Sequence, residues 1–430
     1  MSIVQSIRII GLLLTVIGLG TTRPIQAQDK FLTGETINML IVGDPFALSL
    51  QRSIDELNEL SGGTFNIEVV AYNDTYEATF LNSRDQQSAY DIVSFDAVWA
   101  GEYGEKSVLL PLNERIAAST TVNISDFLEM AYASGASNSV QYGLPIQPHP
   151  ELLWYRKDLF ETASLIVPTT TDDLLKTAEQ LTNQSKNQYG ICWNGQRGQA
   201  LGQQMAHFYA AFGQPLLDEN GLPTLNTPKG IAAAEYAKAL LPFSPPDVLN
   251  MAWDQRPARF SQGECVMTYE WAARTYLVEE DPISLVIGQV GYAAAPYAPD
   301  AAPVTPLGIW HLGIPANIGD RADVAWRALE WLTSSETQTL LAENGNGGMP
   351  RYSILENPSL QERYPAFQVV AELGTQNQLN VWMRPAVPQW PMLADILGTV
   401  YHDMLNGKLT PEAAAAEAQS QAEALFEVSN

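Results

Sequence analysis

Three short β-branched runs, residues 36–42 (TINMLIV), 65–71 (FNIEVVA) and 90–95 (YDIVSF), lie near the start of the chain, each closed by a turn or an acidic residue. Runs of this kind read as strands. Between the first two, Leu50, Ile54 and Leu57 recur at helical spacing and are followed by Gly62-Gly63, the signature of a helix and its stop. A strand, helix, strand, helix, strand order restricts the chain to right-handed crossovers and a largely parallel sheet. In such sheets ligands gather beyond the carboxyl ends of the strands, where Asp44, Asp74 and Asp96 fall. Each is a candidate ligand-binding residue, with helix capping or turn hydrogen bonding as its structural alternative.

The remainder of the chain is organised by three breaks. Residues 143–161 (GLPIQPHPELLWYRKDLFE) carry prolines at 145, 148 and 150, which predict an extended crossing and not a helix. Residues 292–308 are rich in proline and alanine without periodicity, and "ENGNGGMPR" interrupts a helix expected over about 321–342. Leu201, Met205, Phe208 and Phe212 form an apolar stripe typical of a core helix, and an alanine-rich helix is expected over 411–426. Three crossings imply two α/β lobes built from discontinuous pieces: residues 28–146 with 306–348, and 147–305 with 349–430. A chain of 430 residues has the length for two such units.

The first residues have a different character. Arg8, the apolar run from Ile9 to Leu19 and "IQA" before Gln28 predict a secretory signal cleaved after Ala27. No cysteine follows the run, so a lipid anchor is not expected. The mature chain is expected to be exported, and Cys192 and Cys265, the two cysteines present, read in an exported protein as one disulfide or as two buried thiols. The net charge of −25 repels nucleic acid and anionic lipid, and excludes both as partners.

Enzyme signatures are missing. The sequence contains no G-x-S-x-G, H-E-x-x-H, G-x-x-x-x-G-K-[ST], G-x-G-x-x-G or C-x-x-C. The four histidines, 149, 207, 311 and 402, are scattered, so neither a metal site nor a cofactor is expected. Paired carboxylates of a carbohydrate-active hydrolase leave no motif, and that class stays open as an alternative. Ten tryptophans stand out instead, among them Trp99 near Asp96, Trp193 before Asn194, Trp271 after Glu270 and Trp310 before His311. A sugar ring has apolar faces and a polar rim, which calls for aromatic faces beside carboxylates, amides and guanidinium groups.

"YDIVSFDAVWAGEYGEKSVLLPLNERI", "GLPIQPHPELLWYRKDLF", "ARFSQGECVMTYEW" and "GIWHLGIPAN" occur in this order along the chain. They resemble the landmarks of the family 1 extracellular solute-binding proteins, the receptors of carbohydrate ABC importers. "YGIC" with a later "QGEC" is similar to the sugar and polyol binders of that family. The resemblance implies two lobes joined by three crossing segments, closing on a sugar, oligosaccharide or sugar alcohol and delivering it to the permease subunits, with no chemistry and as a monomer. It places Asp96 and Trp99 on the first lobe's rim, His149 at the first crossing, Glu270 and Trp271 on the second lobe, and Trp310 and His311 after the second crossing. It also implies that Cys192 pairs with Cys265 while Trp193, Asn194 and Arg197 form a loop at the cleft edge. An amine or peptide cargo in the same fold is the further alternative, compatible with Asp44, Asp74 and Glu270. "QPHPE" matches no ligand subclass.

Overall fold

The computed structural model describes residues 30–381 and 383–428; the expected signal segment lies outside them. A nine-stranded mixed sheet runs through the molecule. Its strands are β1 (Thr36–Val42), β2 (Thr64–Val70), β3 (Ile92–Asp96), β4 (Gly143–Arg156), β5 (Tyr189–Cys192), β6 (Cys265–Trp271), β7 (Val290–Ala293), β8 (Thr305–Gly313) and β9 (Leu379–Asn380). The first three agree with the expected strands to within two residues at each end, and β1 pairs in parallel with both β2 and β3, as the intervening helical segments require. The helix expected between β1 and β2 is two, Pro45–Arg52 and Ile54–Ser61, ended by Gly62 at φ 77°, a left-handed turn that glycine adopts at no steric cost.

β4 is the element that organises everything else. It is 14 residues long, and it changes partners partway. Residues 143–150 pair antiparallel with β8, which in turn pairs with β3, while residues 151–156 pair with β6 and β7. Prolines 145, 148 and 150 fall in the part whose strand pairing is to β8 alone, so over that part β4 has a strand on one side only and tolerates residues without an N–H donor. The expected proline-rich crossing is therefore a strand common to both halves of the sheet. The second break, 292–308, ends in β8, and the third lies in the irregular stretch after the helix Ser335–Glu343.

In the second half of the sheet the helix Gln199–Ala211 packs against Pro228–Leu240 and Trp390–Leu405. Leu201, Met205 and Phe208 are buried there, as the stripe predicts. The long terminal helix, Pro411–Val428, covers this group. Cys192 at the end of β5 is disulfide-bonded to Cys265 at the start of β6.

Candidate functional site

Strand register assembles the site. Trp310 on β8 lies opposite Asp96 on β3 and opposite Gln147 on β4. Two strands further on, Trp271 of β6 lies opposite Glu151 of β4. Because side chains alternate along a strand, Gln147, His149 and Glu151 share one face of β4, and the prolines of "QPHPE" occupy the other. Asp96, Trp310, Gln147, His149, Glu151 and Trp271 thus form one surface crossing both halves of the sheet.

Asp44 faces this surface. It stands at the N-cap position of the helix Pro45–Arg52 but makes no side-chain capping bond; its Oδ2 lies 3.2 Å from His149 Nε2 instead. His149 Nε2 is also 2.8 Å from Gln147 Nε2, and Gln147 Oε1 accepts from the Phe46 amide at 2.5 Å. Burial alone would raise the Asp44 pKa, yet His149 and then Arg274 hold it below the ordinary value. Asp44 Oδ1 is buried without a hydrogen-bond partner.

On the β3 side, Asp96 accepts from Arg384 Nη1 at 2.9 Å and Nη2 at 3.2 Å, and from the Tyr72 hydroxyl at 3.2 Å. Gly308 makes this possible, since a Cβ there would lie 2.7 Å from Arg384 Nη2. Arg384 Nε is buried and unpartnered. Tyr72, Trp99 and Trp310 form an aromatic wall with ring centroids 5.2, 5.5 and 5.8 Å apart.

On the β6 side, Trp271 sits edge-on between His149 and His207, at 5.8 and 5.4 Å, with the Arg256 guanidinium 5.8 Å from its ring. A buried network fixes these neighbours. Arg256 donates to Glu270 through Nε at 2.8 Å and Nη2 at 3.2 Å, and to Glu151 through Nη1 at 2.8 Å. Glu151 also accepts from Gln204 at 3.3 Å and contacts His207. Burial opposes ionisation of Glu151, but His207 and Arg256 outweigh it and lower its pKa to about 2. A charge this well paired orients its neighbours and has little capacity left for a ligand.

Of the residues singled out from sequence, Asp44, Asp96, Trp99, His149, Trp271 and Trp310 come together. Glu270 stands behind Trp271, its carboxylate taken up by Arg256 and the Trp271 amide. His311 points to the opposite face of β8 from Trp310, stacked on Phe95 at 5.2 Å and 3.0 Å from the Ala131 carbonyl; burial lowers its pKa to about 4. Asp74 is exposed in the first turn of the helix Tyr72–Asn82. Trp193 is buried, donating to Ser244 Oγ at 2.8 Å, and Arg197 pairs with Asp403 at 2.8 Å. Asn194 is buried and meets the network only through its amide, which donates to Gln204 at 3.3 Å. The strand before this loop, β5, is the last strand of the sheet but is buried along its whole length, so its end runs into core where a cleft edge was expected.

Tyr72, Gln147, Glu151, Arg256 and Arg384 were not anticipated. The alternation in "QPHPE" carried the signal for two of them; Arg384 lies in an irregular stretch between elements and carried none.

Beyond Asp44 the surface opens into a cleft of about 800 Å3 between the Gly43–Pro45 turn and residues 254–283. Among the described residues, no helix is long and apolar enough to cross a membrane, and no cluster of three His, Cys, Asp or Glu side chains could hold a metal ion.

Residues 44–339 match the family described as bacterial extracellular solute-binding protein. A solute-binding protein of an ABC transporter from Agrobacterium radiobacter K84, solved in complex with ribitol, superposes with a TM-score of 0.85 at 30% identity, covering 92% of this chain and 100% of that one. Another from Agrobacterium vitis S4, with bound D-mannitol, gives 0.80 at 23% identity, covering 92% and 99%. The mannitol-binding protein of Pseudomonas aeruginosa is 24% identical over 361 residues, 78% of this chain and 80% of that protein. The two-lobed α/β architecture expected from the sequence is the architecture found, and the family is one of binding proteins and not of enzymes. This chain belongs to the bacterial extracellular solute-binding proteins.

Proposed function

We propose that this protein is the receptor of an ABC importer for a small polyhydroxylated solute, a sugar alcohol or a short sugar. One observation carries the reading: paired hydrogen-bonding groups and indole rings share a single surface spanning both halves of the sheet. Asp44 and Asp96 accept from hydroxyls, Arg384 donates, and Gln147 and His149 do both, while Trp99, Trp271 and Trp310 offer apolar rings to C–H faces. Each carboxylate already has a cationic or imidazole partner, which suits a neutral solute better than an amine or a cationic peptide. The bound ribitol and D-mannitol of the two Agrobacterium proteins point to the same class. The solute would bridge Asp44, Asp96 and Trp99 on a first lobe (28–146, 306–348) and Trp271 on a second (147–305, 349–430), so that binding favours closure. The receptor would act as a monomer in the periplasm after loss of residues 1–27, and pass its cargo to permease subunits.

Thermal melts with ribitol, mannitol, sorbitol and short sugars test this. A solute at about a hundred times its dissociation constant stabilises by roughly 2.7 kcal/mol, and Asp44→Asn should remove most of that shift. A melt moved by amines or peptides and by no polyol or sugar would overturn the cargo; turnover of an oligosaccharide would overturn the receptor.

A further inference from the structure

One ring nitrogen on the inner surface stands between a donor and an acceptor and can satisfy only one of them. Gln147 Oε1 accepts from the Phe46 amide at 2.5 Å, which fixes the side-chain amide and turns its Nε2, a donor, toward His149 Nε2 at 2.8 Å. Asp44 Oδ2, an acceptor, lies 3.2 Å from the same nitrogen. A bare Nε2 accepts from Gln147 but presents its lone pair to the carboxylate; a protonated Nε2 donates to Asp44 but meets the Gln147 N–H head-on. Turning the Gln147 amide over moves the conflict to Phe46, whose N–H in the first turn of the helix Pro45–Arg52 would then face an NH2 group. Gln147, His149 and Phe46 are buried, so each unmet group is costly.

The other charges around the ring are committed elsewhere. Glu151, on the same face of β4, is taken up by Arg256 and His207, and Glu270 of β6 by Arg256. Arg384, which reaches the β8 side at Gly308, is paired with Asp96. Arg274 is held by the Trp253 carbonyl at 2.8 Å and by Asp254 at 3.3 Å. Trp271 packs edge-on against the ring and carries no charge. Asp44 is therefore the charge that answers His149. Its side chain also lines the outer cleft of about 800 Å3, and its buried Oδ1 has no partner. A hydroxyl arriving from that cleft resolves the conflict, because it donates to the carboxylate and leaves the Nε2 lone pair to Gln147. An imidazolium does the reverse: it occupies Asp44 and strands the Gln147 N–H.

We propose that His149 is a proton switch on solute binding: the neutral ring carrying its hydrogen on Nδ1 is the binding form, the imidazolium closes Asp44 off, and uptake of a solute in mild acid expels a proton. The inference rests on the reading of Asp44 as an acceptor of solute hydroxyls. Imidazole changes charge between about pH 5 and 8, so affinity should be whole at the upper end and fall toward the lower. Nitrogen-15 histidine spectra of the ligand-free protein test the switch without a solute, the His149 signals being those absent from His149→Gln. At about pH 8 the ring should carry its hydrogen on Nδ1, and a hydrogen on Nε2 there would overturn the proposal. Calorimetry with ribitol and D-mannitol should then show binding about tenfold or more weaker at pH 5 than at pH 8, and less than about twofold dependence in His149→Gln. Should that variant not fold, the heat of wild-type binding near about pH 6, compared between buffers of different ionisation enthalpy, counts the protons expelled, and none expelled would overturn the switch. Wild-type affinity level with pH, or falling equally in the variant, would overturn it too and leave the polyol site standing. Binding of neither alditol at either pH would overturn both.

Discussion

Arg384 meets Asp96 with both terminal nitrogens, Nη1 2.9 Å from Oδ2 and Nη2 3.2 Å from Oδ1, across 288 residues of sequence. Both side chains are buried, so removing one partner strands a charge. Arg384→Ala should therefore destabilise by about 3–5 kcal/mol in urea unfolding at neutral pH, whereas Asp96→Leu with Arg384→Met should cost less than either truncation alone.

His311 predicts acid sensitivity at mildly low pH. Burial depresses its folded pKa to about 4 from an ordinary 6.5, so below pH 6.5 the unfolded chain takes a proton that the folded one refuses. Stability from this group is whole above pH 6.5 and falls toward pH 4, by about 1.4 kcal/mol per unit in the middle of that window. Unfolding midpoints of His311→Leu followed from pH 7 to 4 should lack that component.

Glu151 acts in a lower window. With a folded pKa of about 2 against an ordinary 4.5, it stabilises above pH 4.5, and the contribution disappears as pH falls toward 2. Glu151→Gln should be less stable than the parent at pH 7 and should lose less between pH 4.5 and 2, read by the same titrated unfolding. The variant must also leave His207 and Arg256 poorly placed around Trp271, so the Trp271 fluorescence environment should change.

The bond between Cys192 and Cys265 closes a loop with a sequence separation of 73. In the chain-entropy view a loop of that size is worth about 4 kcal/mol. Thiol titration of the unfolded, unreduced protein should find no free groups, and the Cys192→Ser, Cys265→Ser double variant should melt at a lower temperature.

The parts legible in the sequence were those set by local periodicity. β1 to β3, the core helix with Leu201, Met205 and Phe208, and the proline-rich crossing all follow from spacing and from what proline forbids. Asp44 and Asp96 could be placed near one another because they lie at or just beyond the carboxyl ends of neighbouring parallel strands. Arg384 was out of reach because its role depends on tertiary contact with Gly308 and Asp96, and no short-range pattern encodes a partner on the far side of the chain. Trp193 shows the opposite difficulty: indole beside amide has the same composition whether it faces a ligand or, as here, donates to Ser244 in the core. His311 differs from Trp310 only by one step of strand alternation, and that step decides between a surface and an interior.

β4 carries Gln147, His149 and Glu151 on the one strand common to both halves of the sheet, and it changes partners between Pro150 and Glu151. In the closure proposed above, a rotation of one half against the other would pivot close to this strand. The three side chains consequently lie near the axis of such a rotation, where displacement is smallest, while Asp44 and the residues of the outer cleft lie at a radius and sweep the longest arcs. The receptor would then hold a stationary frame against which a solute is registered before closure, and selectivity at Gln147 and His149 would be expressed on first contact and not only in the shut state.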